Sequence, residues 1–326
     1  MSLHLTMIEK RWALNKPFQI SREVTTHAET VICEITDGQF TGRGEAAGVS
    51  YDDETVVSII DQVESVANII EGGITRDNLQ DILPPGGARN SIDCALWDLE
   101  AKRSGKTVWQ MLGWDPRPVT TVYTVGIATP DVMEADASAH SDYPFIKVKV
   151  GLGDPLEQIR AVNAGAPNSA IIIDANQAWT VADLQSYAAP LKEMGVEMIE
   201  QPLERGNDES LRDFCSPLPL CADESCATSA DLESLKGLYT MVNIKLDKTG
   251  GLTEGLKLAE QAVEMGFELM VGNMLGSSLA MAPSFVIAQK CRYVDIDGPL
   301  LQAEDCAHAM EYESGRVSVF LPDLWG

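Results

Sequence analysis

Basic residues are scarce in this chain. Lys and Arg number 24 against 49 Asp and Glu in 326 residues, a net charge of −25. Such a balance excludes nucleic acid and anionic membrane as partners, because both need a basic surface. No run of about 18 apolar residues occurs, so no membrane-spanning helix is expected. Residues 1–14 carry charges and lack the apolar centre of a signal peptide, and a cytoplasmic location is the expectation. The seven cysteines are odd in number and include no Cys-x-x-Cys pair, and Cys221 and Cys226 stand five apart, a spacing no common zinc site uses. Reduced thiols are expected. Homo-oligomer formation is left open.

Apolar residues make up 45% of the chain, enough for one large barrel and a smaller domain. Residues 1–115 read as an α+β capping domain. Val31 to Ile35 is a β-branched strand ended by the Asp37-Gly38 turn, and the polar stretch 17–26 reads as a loop. Helices are expected over residues 52–70, with Val56, Ile59, Ile60, Val63 and Val66 on one face, over 75–83, and over 88–102. From about Thr120 strand-like runs alternate with amphipathic helices. Residues 116–300 therefore read as a (β/α) TIM-type barrel of the modified (β/α)7β kind, followed by a segment 301–326. There Gly315 to Val319 is expected to form a strand returning to the first domain.

Inside the barrel pattern, ionisable residues follow apolar runs at steps of 22 to 26 positions. They are Lys149, Asp174, Glu200, Asp223 and Lys245. A strand with its crossover helix takes about that length, so each residue would fall at the same end of successive parallel strands. Three carboxylates converging there suit a hard cation such as Mg²⁺. Singly, each acid would more often be a helix cap or a turn residue; the joint spacing changes that balance. Lys147 and Lys149 are two apart on one strand and share a face, and neighbouring ammonium groups lower the pKa of one of them. A lysine near neutrality is a usable general base.

The pieces Lys147-Val148-Lys149, Asp174-Ala175-Asn176, Ile199-Glu200-Gln201-Pro202, Ala222-Asp223-Glu224-Ser225 and Asn243-Ile244-Lys245-Leu246-Asp247-Lys248-Thr249-Gly250-Gly251 resemble the enolase superfamily, in its muconate-lactonizing branch. The helix containing Ala88 to Leu99 looks like that superfamily's capping helix. The resemblance implies that Asp174, Glu200 and Asp223 hold one Mg²⁺ and that Lys149 and Lys245 flank the substrate α-carbon. It makes Lys147 an auxiliary to Lys149, Asn176 a support of the ligands, and Asp247 a group that orients Lys245. The implied reaction is a two-base 1,1-proton transfer through an enediolate.

Asp295 and Asp297 bear on the substrate. At i and i+2 of the expected eighth strand both would face inward and receive a cation such as an α-ammonium group. Asp-x-Asp at this point is similar to the dipeptide epimerases, in which it binds the free amine of the dipeptide. The resemblance thus implies epimerisation of a dipeptide at its C-terminal residue, and adds Arg22, Thr25, Thr124 and Ser277 to the substrate-binding candidates. Relatives selective for Glu can carry a basic residue near the position of Thr25; here the loop reads Ser21-Arg22-Glu23-Val24-Thr25-Thr26-His27. L-Ala-D/L-Glu or another dipeptide remains open. An N-acyl-amino-acid racemase or an o-succinylbenzoate synthase would keep the same ligands and lysines. A non-catalytic barrel would keep five polar core residues at a cost and without a use.

Overall fold

The structure, a computed structural model, describes residues 3–21 and 24–326. Strands β1 (His4–Gln19), β2 (Val24–Thr36) and β3 (Thr41–Ala46) form an antiparallel sheet in that order. Asp37 sets the β2–β3 turn by accepting from Gln39 N and Phe40 N at 2.9 and 2.8 Å. The loop expected over 17–26 is largely strand: Phe18 pairs with Thr25 and Gln19 with Val24. The register slips between Ala13 and Phe18. Pro17 lies in that bulge, where its missing N–H breaks no ladder bond.

Helices α1 (Val56–Glu71) and α3 (Gly87–Ser104) pack on this sheet, α2 (Arg76–Ile82) packs on α3, and the short α4 (Val108–Leu112) follows. The first begins at Val56, four residues later than the expected start at residue 52. Asp53 takes a left-handed conformation (φ 60°), and Thr55 then caps the helix by accepting from Ser58 N at 3.1 Å. Helix α3 lies flush on β3 because Gly42 and Gly44 have no side chains. A Cβ there would stand 2.0 Å from Ala95 O and 2.2 Å from Ser91 O.

After β4 (Val119–Thr120), eight parallel strands follow. They are β5 (Tyr123–Val125), β6 (Phe145–Lys149), β7 (Ala170–Asp174), β8 (Val196–Glu200), β9 (Leu220–Ala222), β10 (Met241–Ile244), β11 (Glu268–Val271) and β12 (Tyr293–Val294), each beside its sequence neighbour. Val122 N donates to Val294 O at 2.8 Å and ties the two ends of the curled sheet together. Its inner layer is filled by Ile172, Met198, Cys221, Met241, Met270 and Tyr293. The helices α5 (Pro130–Ala139), α6 (Pro155–Gly165), α7 (Val181–Glu193), α8 (Leu232–Leu235), α9 (Leu246–Thr249), α10 (Leu252–Glu264), α11 (Ser278–Ala288) and α12 (Gly298–Leu301) complete the connections. The fold is a mixed α/β barrel with an antiparallel α+β unit against it.

The strand expected at Gly315 to Val319 is shorter and pairs elsewhere. Strands β13 (Tyr312–Glu313) and β14 (Arg316–Val317) form a small sheet with β4, not with β1–β3. The return to the α+β unit is made by the last residues instead. Trp325 Nε1 donates to Cys94 O at 3.1 Å, and Gly326 N to Asp98 Oδ1 at 2.8 Å. All seven cysteines are free thiols, and only Cys215 is exposed. No described helix is long and apolar enough to cross a membrane.

Candidate active site

The carboxyl ends of the barrel strands bring the spaced ionisable residues together. Register sets Lys149 beside Asp174 and Asp174 beside Glu200. Asp223 follows β9 and Lys245 follows β10 directly. Asp174, Glu200 and Asp223 are fully buried, and one oxygen of each lies within 4.8 Å of the others. Those residues would be the ones to hold a small hard cation, which takes carboxylate oxygens as ligands. Glu200 Oε2 and Asp223 Oδ1 lack a well-aligned hydrogen bond and meet only ammonium groups, Lys147 and Lys248, at 2.7 Å each. These hard, buried, anionic oxygens fit a divalent cation.

The lysines approach this cluster from two sides. Lys149 Nζ donates to Asp174 Oδ2 at 2.6 Å, and Lys245 Nζ to Asp223 Oδ2 at 2.6 Å. Asp174 and Asp223 belong to the strand ends on either side of Glu200. Lys147 is 1% exposed and contacts Asp295, Glu200 and Asp174 at 2.8, 2.7 and 3.2 Å. Burial alone would depress it, but those carboxylates hold its pKa well above the usual lysine value. The expected lowering by a neighbouring ammonium therefore does not occur at Lys147; attraction at short range outweighs it. Lys245 is likewise shifted upward, burial being overcome by Asp223. Burial is likewise overcome at Asp174, which Lys149 and Lys147 hold at about 2, whereas burial and Asp174 push Glu200 up to about 7.

Four supporting groups escaped the sequence reading of roles. Lys248 Nζ donates to Asp223 O, Cys226 O and Asn243 O, the latter two at 2.8 and 2.9 Å. Asn243 Nδ2 donates to Glu200 Oε1 at 2.7 Å. Gln201, in a left-handed conformation (φ 33°), accepts from Asp223 N at 2.9 Å and donates to Leu203 O at 2.9 Å. Glu224 lines the cavity beside Asn176, whose Nδ2 lies 3.5 Å from it. A polar residue one or two positions from a spaced acid or lysine was the available signal, since Asn243 precedes Lys245 by two and Gln201 follows Glu200 by one.

Asp295 and Asp297 also reach the cavity, but not as two positions of one strand. Strand β12 stops at Val294, and Asp297 is the residue before α12. The chain turns at Gly298-Pro299, which starts the helix. Asp295 bonds Lys147, and Asp297 Oδ2 accepts from Thr124 N at 2.7 Å. Burial and the adjacent Asp295 push the Asp297 carboxyl up to about 8.

The cavity has a volume of about 530 Å³ and is lined by Lys149, Lys245, Asn176, Asp295, Asp297 and Thr124 from the barrel. Thr25, Phe18 and Tyr51 line it from the α+β unit. Arg22 lies outside the described residues. Ser277 is not among the lining residues. It is fully buried, caps α11, and gives its hydroxyl to Glu45, which Trp12 and Thr30 also bond at 2.8 and 2.7 Å. Its helix-capping place and its bond to Glu45 hold it in the junction of the two units.

Asp247 is not a partner of Lys245. Its Oδ1 accepts from Ala47 N and Gly48 N at 3.0 and 2.8 Å and so ties a cavity-lining loop of the α+β unit to the barrel. Burial pushes this carboxyl up to about 7. An acid with a raised folded-state pKa binds more protons folded than unfolded, so stability falls as pH rises from about 4 through 7. Asp247→Asn is expected to flatten part of that decline. Melting temperatures of both proteins between pH 5.5 and 8.5 test this, and parallel curves would refute it.

Three acids and two lysines thus meet at the carboxyl ends of the barrel strands, under an α+β cap. Residues 132–326 match the family described as Enolase C-terminal domain-like, and residues 2–113 match Mandelate racemase / muconate lactonizing enzyme, N-terminal domain. The chain belongs to the enolase superfamily, in its mandelate racemase/muconate lactonizing branch. It is 42% identical to an N-acetyl-D-glutamate racemase of Pseudoalteromonas sp, over 91% of this chain and 95% of that protein. It is 40% identical to the L-Ala-D/L-Glu epimerase of Escherichia coli K12, over 95% and 98%. A crystal structure of an Agrobacterium tumefaciens enolase family member with homology to dipeptide epimerases, holding sodium and L-Ala-L-Glu, superposes with a TM-score of 0.97 at 43% identity. It covers 99% of this chain and all of that one.

Proposed function

We propose that this protein is an isomerase that epimerises a dipeptide, L-Ala-D/L-Glu or a close relative, at its C-terminal residue. The observation that carries the reading is that Lys149 and Lys245, each bonded to a different acid of the cluster, line one cavity together with Asp295 and Asp297. Asp174, Glu200 and Asp223 would hold Mg²⁺, which would supply positive charge to stabilise a substrate carboxylate that gains charge. One lysine takes the α-proton as a neutral amine, and the other, as an ammonium, returns a proton to the far face of the same carbon. Lys147 stays charged among Asp295, Glu200 and Asp174 and holds their spacing. Asp295 and Asp297 receive the free ammonium of the dipeptide, and Thr25 and Thr124 border it. The reading also implies a cytoplasmic enzyme of murein-peptide recycling, consistent with the unpaired thiols.

One observation favours a second reading. The Pseudoalteromonas relative acts on an N-acetylated amino acid by its name, and a protonated Asp297 could donate to an acyl oxygen. The free amine decides between them. N-acetylating L-Ala-L-Glu is expected to lower kcat/KM by roughly 10- to 100-fold, the loss of a charged hydrogen bond of about 1.5–3 kcal/mol. N-acetylglutamate turned over faster than the free dipeptide would establish the racemase instead.

A further inference from the structure

A second cavity, of about 220 Å³, adjoins the first. Lys16, Tyr123, His140 and Leu300 line it, and it shares Phe18 and Leu301 with the main cavity. Those two side chains are the partition, and neither has a role in the chemistry described above.

The partition is held firmly. Where β1 bulges away from β2 it is bonded to the chain around α12: Ala303 N donates to Ala13 O at 2.8 Å, and Asn15 Nδ2 to Gln302 O at 2.8 Å. Beyond the bulge, Ile127 N donates to Gln19 O at 2.9 Å. Gly126 lies against this segment, since a Cβ there would stand 3.2 Å from Gln19 O and 3.4 Å from the Phe18 ring. A bulge re-aims a side chain, and this one sets Phe18 against the barrel. Leu301 ends α12, four residues after Asp297, and is buried.

The partition also stands next to the amine corner. Thr124 N bonds Asp297, while the preceding residue, Tyr123, faces the second cavity with its ring stacked 3.5 Å from His140. In a dipeptide the first α-carbon is bonded directly to the ammonium nitrogen. The first side chain therefore departs within one bond of the group that Asp295 and Asp297 hold.

We infer that Phe18 and Leu301 are a specificity stop that restricts the first residue of the dipeptide to a small side chain, with the second cavity as the room a longer one would fill. This rests on the dipeptide reading above. The polar groups of that room are already engaged: Lys16 Nζ lies 2.5 Å from Asp136 Oδ2 and 3.4 Å from Tyr123 OH. It offers volume and apolar contact rather than a free charge, so a long aliphatic side chain is the class of occupant.

The test compares kcat/KM for L-Ala-L-Glu and L-Leu-L-Glu, read as α-deuterium uptake in deuterated water, for the Mg²⁺-loaded protein and its Leu301→Ala and Phe18→Ala variants. The unaltered protein is expected to favour the alanyl dipeptide by at least roughly tenfold, because a close-packed wall rejects added methylenes. Either variant is expected to shift that ratio toward the leucyl dipeptide by roughly tenfold or more. If Leu301→Ala fails to fold, Phe18→Ala, whose side chain is only partly buried, decides the matter. Equal use of both dipeptides by the unaltered protein, or an unchanged ratio in a variant with normal circular dichroism, overturns the stop while leaving the dipeptide reading intact. No uptake into any dipeptide overturns both.

Discussion

Lys149→Ala is expected to abolish epimerisation, with a fall of roughly 10²–10⁴ from the loss of one general acid–base group. The same variant should still exchange the α-proton of one stereoisomer with solvent, through Lys245. Lys245→Ala should exchange the other isomer only. The two ammonium groups are bonded to carboxylates on either side of Glu200, which is why they are expected to address different faces. Proton NMR of each pure stereoisomer in deuterated water reads the result. Two variants that exchange the same isomer would defeat the two-face arrangement, and an unimpaired Lys149→Ala would remove that residue from the reaction.

The second large effect concerns the carboxylates. Asp223→Asn, or exhaustive chelation of the unaltered protein, is expected to cost at least about 10³ in kcat, the equivalent of several kcal/mol of charge stabilisation. Asp223 accepts from both Lys245 and Lys248, so the amide also releases two ammonium groups from their counter-charge. Far-ultraviolet circular dichroism should nevertheless remain that of the native barrel, because the inner layer beneath the site is apolar and independent of Asp223. Turnover that survives chelation undiminished would show that no cation is needed.

The barrel was legible because its evidence is periodic. Apolar runs ending in Asp174, Glu200 and Asp223 recur at the length of one strand–helix unit, and that regularity survives any uncertainty about where each element ends. What the pattern missed depended on local geometry. Hydropathy treats 52–70 as one helix, whereas the left-handed Asp53 and the Thr55 cap divide it. The polar stretch around Pro17 looked like a loop because an edge strand facing solvent has the same composition. Asp295 and Asp297 were found for their charge and spacing, yet a turn rather than a strand delivers them. Asp247 and Ser277 bond across the junction of the two units, and no spacing rule along one chain reveals a partner 199 to 232 positions away.

That junction runs through the cavity itself. Lys149, Lys245, Asp295 and Asp297 stand on the barrel, while Phe18, Thr25 and Tyr51 reach in from the antiparallel unit. Part of the cavity wall is thus written in a different stretch of the coding sequence from the lysines. A substitution in the first stretch can change which molecule fits without displacing the groups that carry the proton. For natural selection this makes new substrates reachable by single steps through active intermediates, and for the engineer it offers a first set of library positions that lie far in sequence from the lysines.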